Sequence, residues 1–376
     1  MKKILFLSNG HGEDLVAAEL IKKLSGQVEV YAMPLVGEGK AFADLNISVV
    51  GPQKSLPSGG FSLRNVLFLI KDLLAGLAVN TLAQLKILRS LRGKIDLTVA
   101  IGDIVPIIGA LTVKAPFVFV GVNKSSYYKW FGYNYTPWEK QLLQSYAKKV
   151  FVRDKVTETD LTQHGIKVTS AEYVGNPLMD CIEKMTNSST SSLYKLSREK
   201  SRDDETKTMT KQNNTVIGLL PGTRKDARLN LEDLAKVVNK INQLKEPNQQ
   251  IKYLAATTLS DLPSGIERMP FAEVLATSDL IIGLSGTGNE QAAGSGIPVV
   301  SFYGRGSQYN QKFAEAQKQL LGDALSLVRD SNPSSVATEV WQLLCNAPKR
   351  QEMGKAGMER MGKSGAIKKI AEYLMQ

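Results

Sequence analysis

A strand–turn–helix pattern that occurs twice in the latter half of this chain constrains its fold most. One apolar run ends in Leu219-Leu220-Pro221-Gly222-Thr223-Arg224, and a second ends in Leu284-Ser285-Gly286-Thr287-Gly288. Each pattern is typical of a buried strand that passes through a glycine turn into a helix. Such a turn leaves unpaired backbone N–H groups at the positive end of the helix, where a phosphate can bind. Two such turns in one sheet predict a nucleotide-diphosphate site.

Short apolar runs alternate with segments of helical periodicity, which predicts an α/β fold with parallel sheets. A length of 376 residues is too great for one ordinary core and predicts two domains. We expect two Rossmann-type doubly wound sheets, in residues 1–184 and 215–360, joined by a flexible polar linker, 185–214, with too few apolar residues to order itself. The predicted strands are Lys3–Ser8, Val28–Ala32, Ile47–Gly51, Leu97–Ile101, Pro116–Val122, Lys149–Val152, Ala171–Val174, Val216–Leu220, Ile251–Ala255, Leu280–Gly283 and Pro298–Phe302.

The composition argues against several classes of protein. The two cysteines, Cys181 and Cys345, lie far apart and form no metal or redox motif, which favours a reducing, cytoplasmic location. The sequence has no run of about 18 uncharged apolar residues, so we predict no membrane-spanning helix. The net charge is +11, but the sequence has no zinc-finger spacing, RNA-binding aromatic signature or basic block, so we expect no nucleic-acid partner.

The segment from Arg64 to Lys94 combines long apolar stretches with scattered basic residues. It fits a core helix packed on the first sheet, and it also fits a surface that contacts lipid with basic residues at its rim. Each Lys or Arg near an anionic surface contributes only about 1 kcal/mol, so such contact would be weak and reversible. On this interpretation the protein has an anionic membrane surface as a partner and lies peripherally on its inner face.

The first predicted strand is followed by a turn with two glycines, Gly10 and Gly12, around His11. The third glycine of the dinucleotide fingerprint is missing, and Glu13 and Asp14 would repel a pyrophosphate. The turn therefore suits sugar hydroxyls better than a dinucleotide. His11 has few neighbours here that could bury it, so it is a candidate catalytic or substrate-contacting residue.

Asp103 follows the predicted strand Leu97–Ile101, which places a carboxylate at the edge of the sheet where ligands bind. It could take the proton of an attacking hydroxyl as a general base, and it could equally cap the next helix. Arg224 could stabilise the charge that grows on a departing diphosphate. No Asp-x-Asp pair lies beside a predicted strand, so we expect neither a metal nor a cofactor.

Further polar residues near strand ends complete the predicted donor and acceptor sites. Glu290 suits ribose hydroxyls, and Gln308 and Asn310 suit the hydroxyls of a donor sugar. The predicted donor site comprises Gly222, Thr223, Arg224, Ser285, Gly286, Thr287, Gly288, Glu290, Gln308 and Asn310. The predicted acceptor site comprises Gly10, Gly12, Asn123 and Asn176. The aromatic cluster between Tyr127 and Trp138 fits either the packing of an irregular loop or an acceptor cleft.

These residues together resemble the lipid-A-disaccharide synthase family of GT-B-fold glycosyltransferases, most closely its lipid-A-disaccharide synthase-related branch. Leu219–Arg224 is similar to the family's Leu-Leu-Pro-Gly-Ser-Arg motif, and Ser285–Glu290 is similar to its Ser-Gly-Thr-x-x-x-Glu loop. Val174–Leu178 is similar to the family's Gly-His-Pro-Leu segment, and Ser8–Leu24 looks like its first glycine turn and helix.

The resemblance implies a GT-B fold with two domains facing each other across a cleft and a C-terminal helix, residues 361–376, that crosses back to the first domain. It implies a hexosyltransferase of lipid A or glycolipid biosynthesis. This enzyme would move an N-acetylglucosamine-type sugar, with inversion, from a UDP-sugar to a lipid-linked acceptor, with Asp103 or His11 as the base and Arg224 on the diphosphate. Two alternatives stay open: an enzyme like UDP-N-acetylglucosamine epimerase that acts on a soluble UDP-sugar, and a UDP-sugar-binding GT-B protein without catalysis.

Overall fold

The computed structural model describes residues 1–36, 38–43, 45, 47–52, 77–129, 133–186, 215–223, 225–306 and 308–376. These residues divide into two compact units. The first comprises Met1–Cys181 together with Ser364–Gln376, and the second comprises Ile182–Lys363. Each unit is built on a parallel β-sheet with helices in the connections between its strands.

The described part of the first unit contains seven strands and the helices between them. The strands are β1 Lys3–Ser8, β2 Glu29–Pro34, β3 Ser48–Val49, β4 Leu97–Ile101, β5 Phe117–Val120, β6 Ala147–Phe151 and β7 Ala171–Glu172. The helices up to the second sheet are α1 His11–Leu24, α2 Leu77–Ser90, α3 Ile104–Val113, α4 Pro137–Tyr146, α5 Lys155–Gln163 and α6 Pro177–Thr186. The strands pair in the order β3-β2-β1-β4-β5-β6-β7.

The second unit has six strands among its described residues. They are β8 Thr215–Leu220, β9 Ile251–Ala255, β10 Ile266–Arg268, β11 Leu280–Gly283, β12 Val299–Phe302 and β13 Leu325–Val328. The helices are α7 Ala227–Leu244, α8 Phe271–Thr277, α9 Gly286–Gly294, α10 Gln311–Leu321, α11 Pro333–Cys345 and α12 Ala347–Met361. The strands pair in the order β10-β9-β8-β11-β12-β13.

The last helix, α13 (Ala366–Met375), belongs to the first unit and packs on α1. Its Tyr373 ring lies 5.5 Å from the ring of Phe151 in an edge-on arrangement. The Asp180 carboxylate accepts hydrogen bonds from the backbone N–H groups of Gly365 (2.6 Å) and Ile367 (3.0 Å) at the start of this helix. Helix α13 therefore packs as part of the first unit.

The central strands form because each is a short apolar run that helices cover on both faces. Every residue of β4, β5 and β12 is buried, as a parallel sheet between two layers of helices requires. The edge strands of the second sheet are more polar. In β10 only Ile266 is buried, and in β13 buried and half-buried residues alternate.

The direction of strand addition reverses once in each sheet. In the first sheet, β2 and β3 lie on one side of β1 and β4 lies on the other. In the second sheet, β9 and β10 lie on one side of β8 and β11 lies on the other. Open α/β sheets bind ligands outside the carboxyl ends of strands at such topological switch points. The turns after β1 and β4 form the first switch point, and the turns after β8 and β11 form the second.

The predicted fold class is confirmed, since both units are doubly wound parallel sheets of the Rossmann type. Strands β1, β4, β9 and β11 begin and end at the predicted residues, whereas β10 and β13 were not predicted. Most of the predicted linker, residues 187–214, lies outside the described residues, as do residues 53–76. Among the helices that the structure describes, none has the length and apolar character needed to cross a membrane.

Candidate functional site

The turns that follow β8, β11 and β12 lie next to one another at the carboxyl edge of the second sheet. The backbone N–H of Leu284 donates to the carbonyl oxygen of Leu220 (2.8 Å), which joins the first two turns. The backbone N–H of Gln308 donates to Oδ2 of Asp226 (2.9 Å), which joins the turn after β12 to the start of α7. Three separate segments of sequence thus converge at the second switch point.

Helix α9 starts at this switch point with an accessible N-terminus. Its first residues, Gly286, Thr287 and Gly288, are half-buried, whereas the residues from Asn289 to Ala293 are buried. The N–H groups of a first helical turn have no partner within the helix and lie at its positive end. Ser285 occupies the N-cap position and makes no side-chain capping hydrogen bond. This arrangement suits a phosphate group.

A buried hydrogen-bond network supports the start of α9. Asn289 Nδ2 donates to the carbonyl oxygen of Gly283 (3.2 Å) and to Tyr309 Oη (3.0 Å). Ser301 Oγ donates to the same carbonyl (2.6 Å) and lies 2.8 Å from Tyr309 Oη. Burial raises the pKa of Tyr309, so its hydroxyl stays protonated. The network holds the ends of β11 and β12 in a fixed position relative to α9.

Three of the predicted donor residues make contacts within the protein at this edge. Glu290 is buried, and its Oε1 accepts a hydrogen bond from Gln317 Nε2 (3.2 Å). Asn310 Oδ1 accepts from the backbone N–H of Phe313 (3.0 Å) and therefore caps α10. Gln308 is half-buried on the turn after β12. Their contact with a ligand stays a prediction.

The turn after β8 contains the remaining donor candidates. Gly222 is half-buried and Thr223 is exposed, whereas Arg224 lies outside the described residues. The predicted role of Arg224 as a diphosphate-binding cation therefore stays a prediction. Arg228, further along, lies on the surface with Nη2 3.7 Å from Asp261 Oδ2.

The first switch point brings together polar side chains from three turns. Glu13, in the first turn of α1, is 3% exposed and accepts a hydrogen bond from Nδ2 of Asn123, which follows β5. Asp103 follows β4, and its Oδ1 accepts from the backbone N–H of Val105 (2.9 Å), so it caps α3. Sequence reasoning missed Glu13 as a site residue because its partner is 110 positions away and leaves no local pattern.

Asp14, the neighbour of Glu13, faces a different environment. It is buried, and its Oδ1 accepts a hydrogen bond from the hydroxyl of Ser8. Desolvation raises the pKa of Asp14 to about 6, although the hydrogen bond from Ser8 acts in the opposite direction. The two adjacent carboxylates therefore have different partners.

The other residues predicted for the first unit lie in different places. His11 begins α1 directly after Gly10, and its side chain lies outside the described part of the structure. Gly12 follows within the same helix. Asn176 is fully buried beyond β7, where its Oδ1 accepts from the backbone N–H of Leu178 (3.1 Å). Strand β6 separates this end of the sheet from β5, so Asn176 does not belong to the group at the switch point.

The described part of the aromatic cluster packs the loop after β5. Tyr128, Tyr133 and Tyr135 are buried, and the first two rings lie 5.2 Å apart. Lys124 in the same loop forms a buried ion pair with Glu139 (2.7 Å). These contacts favour the packing interpretation over an acceptor cleft. Among the described residues, no group of three or more His, Cys, Asp or Glu side chains could hold a metal ion.

Helix α2 is the described part of the segment for which core packing and lipid contact were both predicted. Leu88 is buried, and Gln84 Nε2 donates to the carbonyl oxygen of Leu35 (3.0 Å). Val79 and Leu82 are exposed. One side of the helix therefore packs in the core, while contact of its other side with a membrane stays a prediction.

Several solved structures share this architecture, although the sequence matches no protein-family model and no curated protein. S. aureus MnaA in complex with UDP aligns with a TM-score of 0.64 and 16% identity over 100% of this chain and 96% of its own. UDP-N-acetylglucosamine 2-epimerase from Neisseria meningitidis, bound to UDP-N-acetylglucosamine, aligns with a TM-score of 0.57 and 15% identity over 99% of both chains. The calicheamicin glycosyltransferase CalG4 aligns with a TM-score of 0.60 and 16% identity over 100% and 97%.

These similarities correct the family prediction. The similar structures are mainly UDP-N-acetylglucosamine 2-epimerases, so the resemblance to the lipid-A-disaccharide synthase family is wrong. The main prediction of an inverting hexosyltransferase with a lipid-linked acceptor is wrong with it. The motifs behind that prediction, Leu219–Arg224 and Ser285–Glu290, predict phosphate-binding turns, and such turns carry no information about a second substrate. The fold that this chain shares with its structural neighbours is GT-B.

Proposed function

We propose that this protein is an enzyme that acts on a soluble UDP-sugar, with UDP-N-acetylglucosamine 2-epimerisation as its reaction. The observation that carries the proposal is the accessible start of α9 at the second switch point, where three turns converge. Two structures that align over at least 96% of both chains hold UDP or UDP-N-acetylglucosamine, which supports a uridine nucleotide as the ligand.

In this proposal the diphosphate binds at the start of α9. The backbone N–H groups of Gly286, Thr287 and Gly288 donate to its oxygens, and the Ser285 hydroxyl adds a further donor. Arg224 supplies a cation that pairs with the diphosphate. The network around Tyr309 keeps these donors in place before the ligand arrives, so little ordering is needed on binding.

Epimerisation at carbon 2 of the sugar breaks one C–H bond and forms another on the opposite face. Both steps move a proton, so the enzyme needs groups that accept and donate protons near that carbon. A positioned acid or base contributes roughly 10²–10⁴ to the rate. We assign this role to Asp103 at the first switch point, with His11 as the second candidate at the neighbouring turn.

Thermal-shift measurements with UDP, GDP, dTDP and UDP-N-acetylglucosamine test the binding part of the proposal. A ligand at about 100 times its Kd adds about 2.7 kcal/mol to the stability, so we expect the two uridine nucleotides to raise the Tm. NMR in deuterated water tests the reaction, since epimerisation introduces deuterium at carbon 2 and produces the manno epimer. Binding without exchange would identify a UDP-sugar-binding protein without catalysis, and no shift with either uridine nucleotide would refute the proposal.

The variant Thr287→Glu tests the location of the diphosphate. A carboxylate in the first turn of a helix favours the helix but repels an anionic ligand, so we expect a folded protein that no longer responds to UDP. Ser334→Glu is the matched control, since Ser334 is exposed in the first turn of α11, which follows the edge strand β13. We expect this control to respond to UDP like the wild type.

A further inference from the structure

We propose that Glu13 is a positioning residue that fixes the amide of Asn123, so that Asn123 recognises the N-acetylated sugar of the substrate through hydrogen bonds. The inference rests on the proposed function, because it assigns the recognition of the sugar to the first switch point. A buried carboxylate from another part of the chain determines which atoms of the Asn123 amide face outward.

The contact joins a buried group to an exposed one. Glu13 is 3% exposed, whereas Asn123 is exposed at the end of β5. Asn123 Nδ2 donates to Glu13 Oε1 across 110 positions of sequence. An exposed asparagine side chain ordinarily samples several rotamers, but this one has a partner inside the protein.

Two glycines of adjacent turns leave room for the Glu13 side chain. A Cβ atom on Gly102 would lie 3.3 Å from Cγ and 3.5 Å from Oε1 of Glu13, and one on Gly10 would lie 3.4 Å from Oε2. Both glycines have positive φ values, 127° for Gly10 and 131° for Gly102, which favour glycine over other residues. A side chain at either position would therefore crowd Glu13, and the two glycines leave room for its carboxylate between the turns.

The chemistry of the pair determines what Asn123 offers to a ligand. Glu13 Oε1 accepts a hydrogen bond from Asn123 Nδ2, so the amide turns its nitrogen toward Glu13. The second N–H and the carbonyl oxygen of Asn123 then remain for a ligand. An N-acetylated sugar has both an acetamido carbonyl that accepts and hydroxyl or amide groups that donate. A fixed amide can bind both kinds of group at little entropic cost.

A double-mutant cycle with Glu13→Gln and Asn123→Ala tests the inference. The measured quantity is the affinity for UDP-N-acetylglucosamine divided by the affinity for UDP alone, from titration calorimetry. We expect each single variant to lower this ratio about tenfold, which corresponds to the loss of about one hydrogen bond. We expect the double variant to lower it no further, because Glu13 acts through Asn123.

Asp14→Asn is the matched control, since Asp14 is a buried carboxylate in the same helical turn that contacts Ser8 instead. If Glu13→Gln acted only by disturbing the structure, Asp14→Asn would lower the ratio as well, or Glu13→Gln would lower the affinity for UDP as much as the affinity for UDP-N-acetylglucosamine. Because Asn123 is exposed, Asn123→Ala leaves the core intact and tests the proposal even if Glu13→Gln does not fold.

The outcomes separate this inference from the proposed function. If wild-type protein binds no uridine nucleotide, the proposed function fails and this inference fails with it. If UDP binds but the ratio is unchanged in Asn123→Ala, or if the two effects add in the double variant, only the inference is overturned.

Discussion

At the scale of single residues, burial determines the protonation state of Asp14. Its carboxylate is 3% exposed and has the Ser8 hydroxyl as a hydrogen-bond donor. Desolvation penalises the charged form more than this one hydrogen bond favours it, so the pKa rises from 3.8 to about 6. The ionised side chain is therefore less stable in the folded protein than in the unfolded chain.

This shift predicts a pH-dependent effect of Asp14→Asn. Below about pH 4 the carboxyl is protonated in both states and contributes no penalty. Between about pH 4 and pH 6 the carboxyl ionises in the unfolded chain but stays protonated in the folded protein, so the penalty grows to about 2–3 kcal/mol and is complete above about pH 6. We expect Asp14→Asn to raise the free energy of unfolding, relative to wild type, at about pH 8 but not at about pH 4. Urea unfolding measures both values, and a difference that does not change with pH would contradict the assignment.

At the scale of secondary-structure elements, the turn after β12 takes its position from helix α7. Arg305 Nε donates to Asp233 Oδ2 (2.7 Å), and its Nη2 donates to Glu232 Oε2 (3.2 Å). Asp226, at the start of the same helix, accepts from the backbone N–H of Gln308 (2.9 Å). The turn that contains the predicted sugar contacts is thus attached at two points to the first half of α7.

Arg305→Ala should therefore weaken binding more than it weakens the fold. Arg305 is half exposed, so we expect its ion pairs to contribute only about 0.5–1 kcal/mol to stability. Without them the turn is less restricted, and we expect the affinity for UDP-N-acetylglucosamine to fall about fivefold or more, measured by titration calorimetry. Lys252→Ala is the control, because Lys252 also forms an exposed ion pair, with Glu267 (2.8 Å), on strands away from this turn. Equal losses of affinity in the two variants would argue against a role for the turn.

At the scale of the whole molecule, the chain leaves its first unit after Cys181 and returns to it at Ser364. Asp180 lies next to the point of departure and accepts hydrogen bonds from Gly365 and Ile367, just after the point of return. One carboxylate thus links the two places where the chain passes between units. It also satisfies N–H groups at the start of α13 that have no partner within the helix.

Asp180→Ala should loosen the last helix without unfolding the sheet. Removing a capping carboxylate costs about 1–2 kcal/mol, so we expect faster amide hydrogen exchange in residues 366–375. Asp330→Ala is the control, since Asp330 accepts from the backbone N–H of Asn332 (3.1 Å) on the exposed surface. Exchange in α13 at the wild-type rate after Asp180→Ala would show that the cap does not hold this helix.

The interior strands were predictable from sequence for a simple physical reason. A parallel strand covered on both faces is built mainly of apolar residues, and β1, β4, β9 and β11 have the predicted bounds. The edge strands β10 and β13 have no such run, because part of each remains exposed or half-buried. The family prediction was wrong for a related reason. It depended on predicted phosphate-binding turns, and such turns involve a few neighbouring residues that carry no information about the second substrate.

The sequence by itself determined the α/β class and the bounds of four interior strands, because both depend on residues within a few positions of one another. Only the tertiary structure decided which turns meet. The order of the strands places the turns after β1, β4 and β5 next to one another and brings Glu13 to Asn123, 110 residues away. Contacts between such distant residues depend on how whole strands and helices pack. No single stretch of the sequence therefore predicts them.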